Sequence, residues 1–312
     1  MVKVHDIAYV RLAAPDLDAQ EQFLTDFGMV RAARTASALY MRGTDAHHHL
    51  HITEQGPARF VGLGYSLASE DDLAAAAQLP GASAIEQIDE PGGGRRVWLR
   101  EPNGYRIELV HGIATPAPLP VPPSSMNIGT DRSARVGVAK RLAKGPSHVK
   151  RLGHCVLVSP NPRATFDWFH RNLGFLESDI FYAGARDRQV AIFGRVDRGA
   201  EFVDHHVILC AGGERAGLNH LGFEVHDVDD LLLGHDHLRR CERYQHVWGI
   251  GRHLSGSHVF DYWMDPSQRI HEHWTDTDTL DAAGEPNWHP IEELRSQWGD
   301  PAPLTFIKHV SA

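Results

Sequence analysis

Apolar and polar residues alternate along Asp6-Ile-Ala-Tyr-Val-Arg-Leu12, which predicts a strand with one inward face. The stretch from Asp18 to Phe27 instead carries apolar residues at helical spacing and ends on Gly28, a helix-stop signal. The same succession returns later. Leu152-Gly-His-Cys-Val-Leu-Val158 is an alternating strand, and Arg163 to Leu173 is an amphipathic helix closed by Gly174. A second pair follows in both places. Gly62-Leu-Gly-Tyr-Ser-Leu67 leads to Asp71-Asp72-Leu73, and His220-Leu-Gly-Phe-Glu-Val225 leads to Asp229-Asp230-Leu231. Each is a strand followed by a helix start whose acidic residues suit the first turn. A third pair completes the pattern: Trp98 to Glu108 and Tyr262 to Glu272 both read as strand, tight turn at Glu/Asp-Pro, strand. Pro102 maps to Pro266 and Glu108 to Glu272, each by a shift of 164 positions.

The chain is therefore a duplication of the α+β class, with two strand–helix–strands modules in each half. The expected divisions are residues 1–112, a connector over 113–147, a second half over 148–275 and a tail over 276–312. Pro116, Pro118, Pro120, Pro122 and Pro123 make the connector extended at its start. The tail has no partner in the repeat and is expected to pack as a cap.

Composition narrows the function. The 312 residues are 42% hydrophobic and 23% charged, enough for two globular cores. A net charge of -9 and the lack of a basic face argue against nucleic acid as a partner. No apolar run approaches membrane-spanning length, and Cys155, Cys210 and Cys241 form no disulfide framework, so a reducing cytoplasmic setting is expected. Histidine is abundant, at 22 residues. The run His47-His48-His49-Leu50-His51 fits a strand with histidines on a wet face. His271 and His273 should point away from Glu272, because side chains alternate along a strand.

The halves differ where chemistry can sit. His154, His220 and Glu272 of the second half align with Ala8, Gly62 and Glu108 of the first. Two imidazoles and a carboxylate form a facial triad that leaves metal positions open for a bidentate substrate and dioxygen. The first half lacks both nitrogen ligands.

These residues, with the stretch Gly251-Arg-His253 through Tyr262 to Pro266 and Glu272, resemble the type I extradiol dioxygenases of the vicinal oxygen chelate superfamily, over about residues 4–275. The resemblance implies two tandem domains, each of two βαβββ modules curved into an incomplete barrel, the first metal-free and the second catalytic. It implies Fe(II), with Mn(II) also able to use this ligand set, held by His154, His220 and Glu272. His253 and Tyr262, 19 and 10 residues before Glu272, would hydrogen-bond the ring oxygens of a catecholic substrate. His206, 14 residues before His220, would serve the bound oxygen and then act as an acid; the family spacing is about 15, which keeps His205 as the alternative. His258 stands at the wrong spacing for a role. Trp248, Arg252 and Arg295 are candidates to grip a substituent of a 2,3-dihydroxyaromatic. Gln268-Arg269 departs from the small or Gly turn usual after Pro-Ser, which puts that loop's shape in question. The implied partners are the small-molecule catechol and O2, with homo-oligomer assembly. A glyoxalase- or epimerase-like metalloenzyme and a non-catalytic binder of the same superfamily are the alternatives.

Overall fold

Four βαβββ modules arise from the four predicted strand–helix units. The structure, a computed structural model, describes residues 2–123 and 125–311. The first module is β1 (Asp6–Ala14), α1 (Leu17–Asp26), β2 (Val30–Arg34), β3 (Ala38–Arg42) and β4 (His51–Gln55). The second is β5 (Arg59–Ser66), α2 (Glu70–Ala76), β6 (Glu86–Gln87), β7 (Arg95–Arg100) and β8 (Arg106–His111). They share one sheet in the order β2-β3-β4-β1-β5-β8-β7-β6.

The second half repeats this with β9 (Val149–Ser159), α3 (Pro162–Leu173), β10 (Leu176–Tyr182), β11 (Gln189–Arg195), the short β12 (Val203–Asp204) and β13 (Ile208–Gly212). Its other module is β14 (Gly217–Val225), α4 (Val228–Cys241), β15 (Gln245–His253), β16 (Val259–Met264) and β17 (Ile270–Thr275). Helix boundaries follow local chemistry. The Asn161 side chain caps α3, and Gly174 ends it at φ 74°, a left-handed conformation that costs glycine little. Asp227 caps α4. No helix among the described residues is long and apolar enough to cross a membrane.

The tail continues the sheet. β18 (Thr279–Leu280) pairs with β12, β19 (Asn287–Pro290) adds to β10 at one edge, and β20 (Ser296–Trp298) adds to β15 at the other. The order is β19-β10-β11-β13-β9-β14-β17-β16-β15-β20, so residues 291–295 connect the two edges of a curved, incomplete barrel. α5 (Leu304–Ile307) then turns back over its mouth.

The halves meet through buried polar contacts. Arg269, fully buried, pairs with Asp265 and donates to the Ala13 carbonyl (3.0 Å) and Gln20 Oε1 (3.1 Å). Gln268 takes φ 63°, so this loop keeps the left-handed turn although the residue is not glycine. His271 and His273 do face away from Glu272, and the surface they reach is interior. His271 Nε2 lies 3.3 Å from His51 Nε2, and His273 donates to the Phe27 carbonyl. This corrects the expectation for residues 47–51. Only His51 belongs to a strand, and both His49 and His51 are buried. His51 is held between the halves, where a wet face was expected.

Candidate metal centre

Strand register assembles the cluster. On β14, Gly222 pairs with His154 of β9 on one side and with Glu272 of β17 on the other. His220, two residues before Gly222, projects from the same face. His154, His220 and Glu272 are all buried, with ligand atoms within 4.8 Å of one another. His154 Nε2 lies 2.8 Å and His220 Nε2 3.5 Å from Glu272 Oε2.

These groups fit a cation. Glu272 is fully buried, no lysine or arginine among the described residues pairs with it, and the nitrogens closest to its carboxylate are imidazole ones. A buried carboxylate is costly unless paired or bound to metal. A Cβ on Gly222 would stand 2.2 Å from the His154 ring, so only glycine leaves room for that imidazole. His220 Nδ1 donates to Asn219 Oδ1 (2.7 Å), which leaves the Nε2 lone pair towards Glu272. Asn219 is itself fixed by the carbonyls of Phe306 (3.1 Å) and His309 (2.9 Å). Asn219→Ala is expected to weaken metal binding by about 10–100-fold without unfolding the chain, measured by chelator competition.

The first half shows how the repeat was diverted. Glu108 pairs with Gly64, as Glu272 pairs with Gly222, but the β1 residue opposite Gly64 is Tyr9. β1 and β9 carry the same register shift, between Ile7 and Tyr9 and between Leu152 and His154, so Tyr9, not Ala8, is the counterpart of His154. The Tyr9 hydroxyl donates to Glu108, and Arg106 and Arg11 pair with the same carboxylate at 2.7 and 3.3 Å. Arginine charge does there what a metal would do in the second half.

Around the cluster, His253 Nε2 and the Tyr262 hydroxyl share a hydrogen bond of 2.8 Å, and Tyr262 pairs in register with Glu272. Burial, then the neighbouring Glu272 charge, pushes the Tyr262 hydroxyl pKa well up, and burial lowers His253 to about 4. His206 lines the cavity, its ring centroid 4.5 Å from that of His154. His205 points instead to Asp179, with Nε2 3.2 Å from Oδ2. The two Nδ1 atoms lie 3.1 Å apart. Asp179 accepts from His205 Nε2–H, and the Nδ1 pair shares one proton, so His205 and Asp179 together orient the His206 ring. Burial holds the His206 imidazole neutral, with its pKa well below the usual value.

The cavity measures about 480 Å3. Trp248 and Arg295 line it, and the Arg295 guanidinium has no hydrogen-bond or ion-pair partner among the described residues. Arg252 does not line it; it is held by the Ser257 carbonyl and by Asp276 (2.7 Å). Spacing missed three participants. His258 lines the cavity and stacks between Trp274 (4.3 Å) and His206 (5.1 Å). Asn219, next to His220 in sequence, was visible only as a polar neighbour. Phe306 stacks on His220 and contacts Tyr262, but it comes from the tail, which has no repeat partner to mark it.

Residues 151–266 match the Glyoxalase/Bleomycin resistance protein/Dioxygenase superfamily. The chain is 28% identical to metapyrocatechase 2 of Cupriavidus necator, covering 99% of this chain and 93% of that protein. It is 24% identical to the manganese-dependent 2,3-dihydroxybiphenyl 1,2-dioxygenase of Geobacillus genomosp. 3, covering 93% and 90%. In fold it superposes on the Mn(II)-bound glyoxalase from Novosphingobium aromaticivorans with TM-score 0.81, at 22% identity and 100% and 96% coverage. A substrate complex of homoprotocatechuate 2,3-dioxygenase from Brevibacterium fuscum gives 0.78, at 19% identity and 99% and 93% coverage.

Proposed function

From its membership of the type I extradiol dioxygenases of the vicinal oxygen chelate superfamily, we propose that this chain opens a substituted 2,3-dihydroxyaromatic beside its diol, at Fe(II) held by His154, His220 and Glu272. The observation that carries this reading is the buried Glu272 carboxylate, with no lysine or arginine partner among the described residues, on which two imidazole nitrogens converge. Mn(II) accepts the same donor set. When bound, the metal lowers the pKa of a coordinated hydroxyl and brings diol and dioxygen together.

The rest is the work of side chains. Tyr262 and His253 form a hydrogen-bonded pair beside Glu272 and orient the diol oxygens. His206, held neutral by burial, takes a hydroxyl proton and later returns it as the ring opens. Trp248 stacks parallel to Tyr262, at 5.3 Å and 7°, and walls the ring's side of the cavity. Phe306 and the strands around it exclude water, which strengthens each polar contact inside.

The substituent follows from the lining. A bare catechol fills only part of the cavity, and Val156, Phe193, Leu209, Ile291, Leu294 and Phe306 make the remainder apolar. Arg295, the only arginine or lysine in the lining, suits a carboxylate at the substituent's far end. Against a panel of Fe(II)-loaded reactions, kcat/KM is expected to rise at least tenfold from catechol to catechols with a large apolar substituent, with yellow ring-opened products. Highest efficiency on bare catechol would contradict this substrate assignment while leaving ring cleavage intact.

A further inference from the structure

A second group of two histidines and one carboxylate lies on the opposite side of β16 from the catalytic cavity. Asp261 and Tyr262 are adjacent on this strand, so their side chains leave by opposite faces. Asp261 is fully buried. Its Oδ2 meets His235 Nδ1 of α4 at 3.0 Å, and its Oδ1 meets His246 Nε2 of β15 at 2.7 Å. The three ligand atoms lie within 4.8 Å of one another. The imidazole planes stand at 88° with centroids 5.0 Å apart, so the two nitrogens converge on the carboxylate from different directions. The Trp263 indole N–H donates to Asp261 Oδ2 (2.6 Å). Carboxylates that ligate metals are commonly oriented by such an outer hydrogen bond.

Exposure distinguishes this group from a sealed polar cluster. The His235 and His246 side chains are 15% and 32% exposed above a carboxylate that is 0% exposed. An ion can enter from solvent, and a water can complete a fourth position. No lysine or arginine pairs with Asp261 among the described residues. The other cluster outside the catalytic cavity, Asp26, His237 and Cys241, is less suited. Arg243 already stands 3.8 Å from Asp26, and the Tyr244 hydroxyl donates to it.

We propose that His235, His246 and Asp261 bind a divalent ion of borderline softness, Zn2+, at a site separate from His154, His220 and Glu272. Two imidazoles, one carboxylate and a water make a tetrahedral set suited to zinc. Binding exchanges two N–H···O hydrogen bonds for two nitrogen–metal bonds. Each ring moves its proton to the other nitrogen, while the Trp263 bond to Asp261 persists. The ion ties α4 to β15 and β16, on the strand that carries Tyr262, and its role is structural.

Zinc content after incubation with Zn2+ and desalting tests this without reference to ring cleavage. Wild type is expected to retain two zinc ions per chain, Glu272→Ala one, and Glu272→Ala combined with His246→Gln none. His246 is the most exposed of the three, so His246→Gln leaves the buried carboxylate hydrogen-bonded and the chain folded. In the Glu272→Ala background, Zn2+ should raise Tm and Co2+ should give tetrahedral visible absorption, and both should vanish with His246→Gln. A single zinc in wild type that disappears with Glu272→Ala, or a second zinc that survives His246→Gln, overturns the proposal. Either outcome leaves the metal reading of His154, His220 and Glu272 standing.

Discussion

His154→Ala is expected to abolish metal retention and ring cleavage together, to below about a thousandth of wild-type turnover even with Fe(II) in excess. In the proposed site three protein ligands would hold the ion, and the ring of His154 is the one that Gly222 makes room for. Its loss leaves only His220 and Glu272 of the three, 3.5 Å apart at Nε2 and Oε2. Without His154 and the ion, the buried Glu272 carboxylate loses its nearest nitrogen contact and has no lysine or arginine to replace it, a state that costs several kcal/mol. The variant is therefore expected to lose the Tm increase that metal gives wild type. Metal content, Tm with and without Fe(II), and oxygen uptake are the measurements. Normal iron content with normal turnover would remove His154 from the ligand set.

His206→Ala is expected to behave differently. Iron content and KM should stay within about threefold of wild type, while kcat falls by about 10²–10⁴-fold. His206 is no ligand in this account, but its ring lies 4.5 Å from that of His154 on the cavity wall. Its ring is oriented from behind, through His205 and Asp179. His205→Ala should therefore slow turnover less than His206→Ala does, since His206 stays in place and loses only its orienting partner. If His206→Ala leaves kcat unchanged while His205→Ala lowers it, the assignment between the two neighbours is reversed.

Much of this was legible because strands carry their pattern openly. The duplication, the α+β class and the facing of His271 and His273 away from Glu272 all follow from a period of two and from the repeat. What the repeat could not show was a one-residue shift. β1 and β9 share an irregularity at the same place, and the pairing puts Tyr9 opposite Gly64 as His154 stands opposite Gly222, where alignment had put Ala8. The inward turn of His51 was hidden for another reason. A histidine beside polar residues looks wet until a second domain covers it, and that contact lies 220 residues away. Arg252 was misplaced because Asp276, its partner, lies beyond the motif that drew attention to it. His258 was dismissed on spacing, yet the loop before β16 brings it against His154 and His206. The tail's strands and Phe306 had no counterpart in the first half, so no internal comparison could mark them as walls of the cavity.

Oxygen consumption tests the central claim most directly. The chain is stripped of metal, loaded anaerobically with Fe(II), mixed with a substituted catechol and then exposed to O2. The account predicts that O2 and catechol disappear in equal amounts, that a yellow product accumulates, and that neither happens with metal-free or Glu272→Ala protein. An iron-loaded chain that takes up no oxygen with any catechol would contradict it.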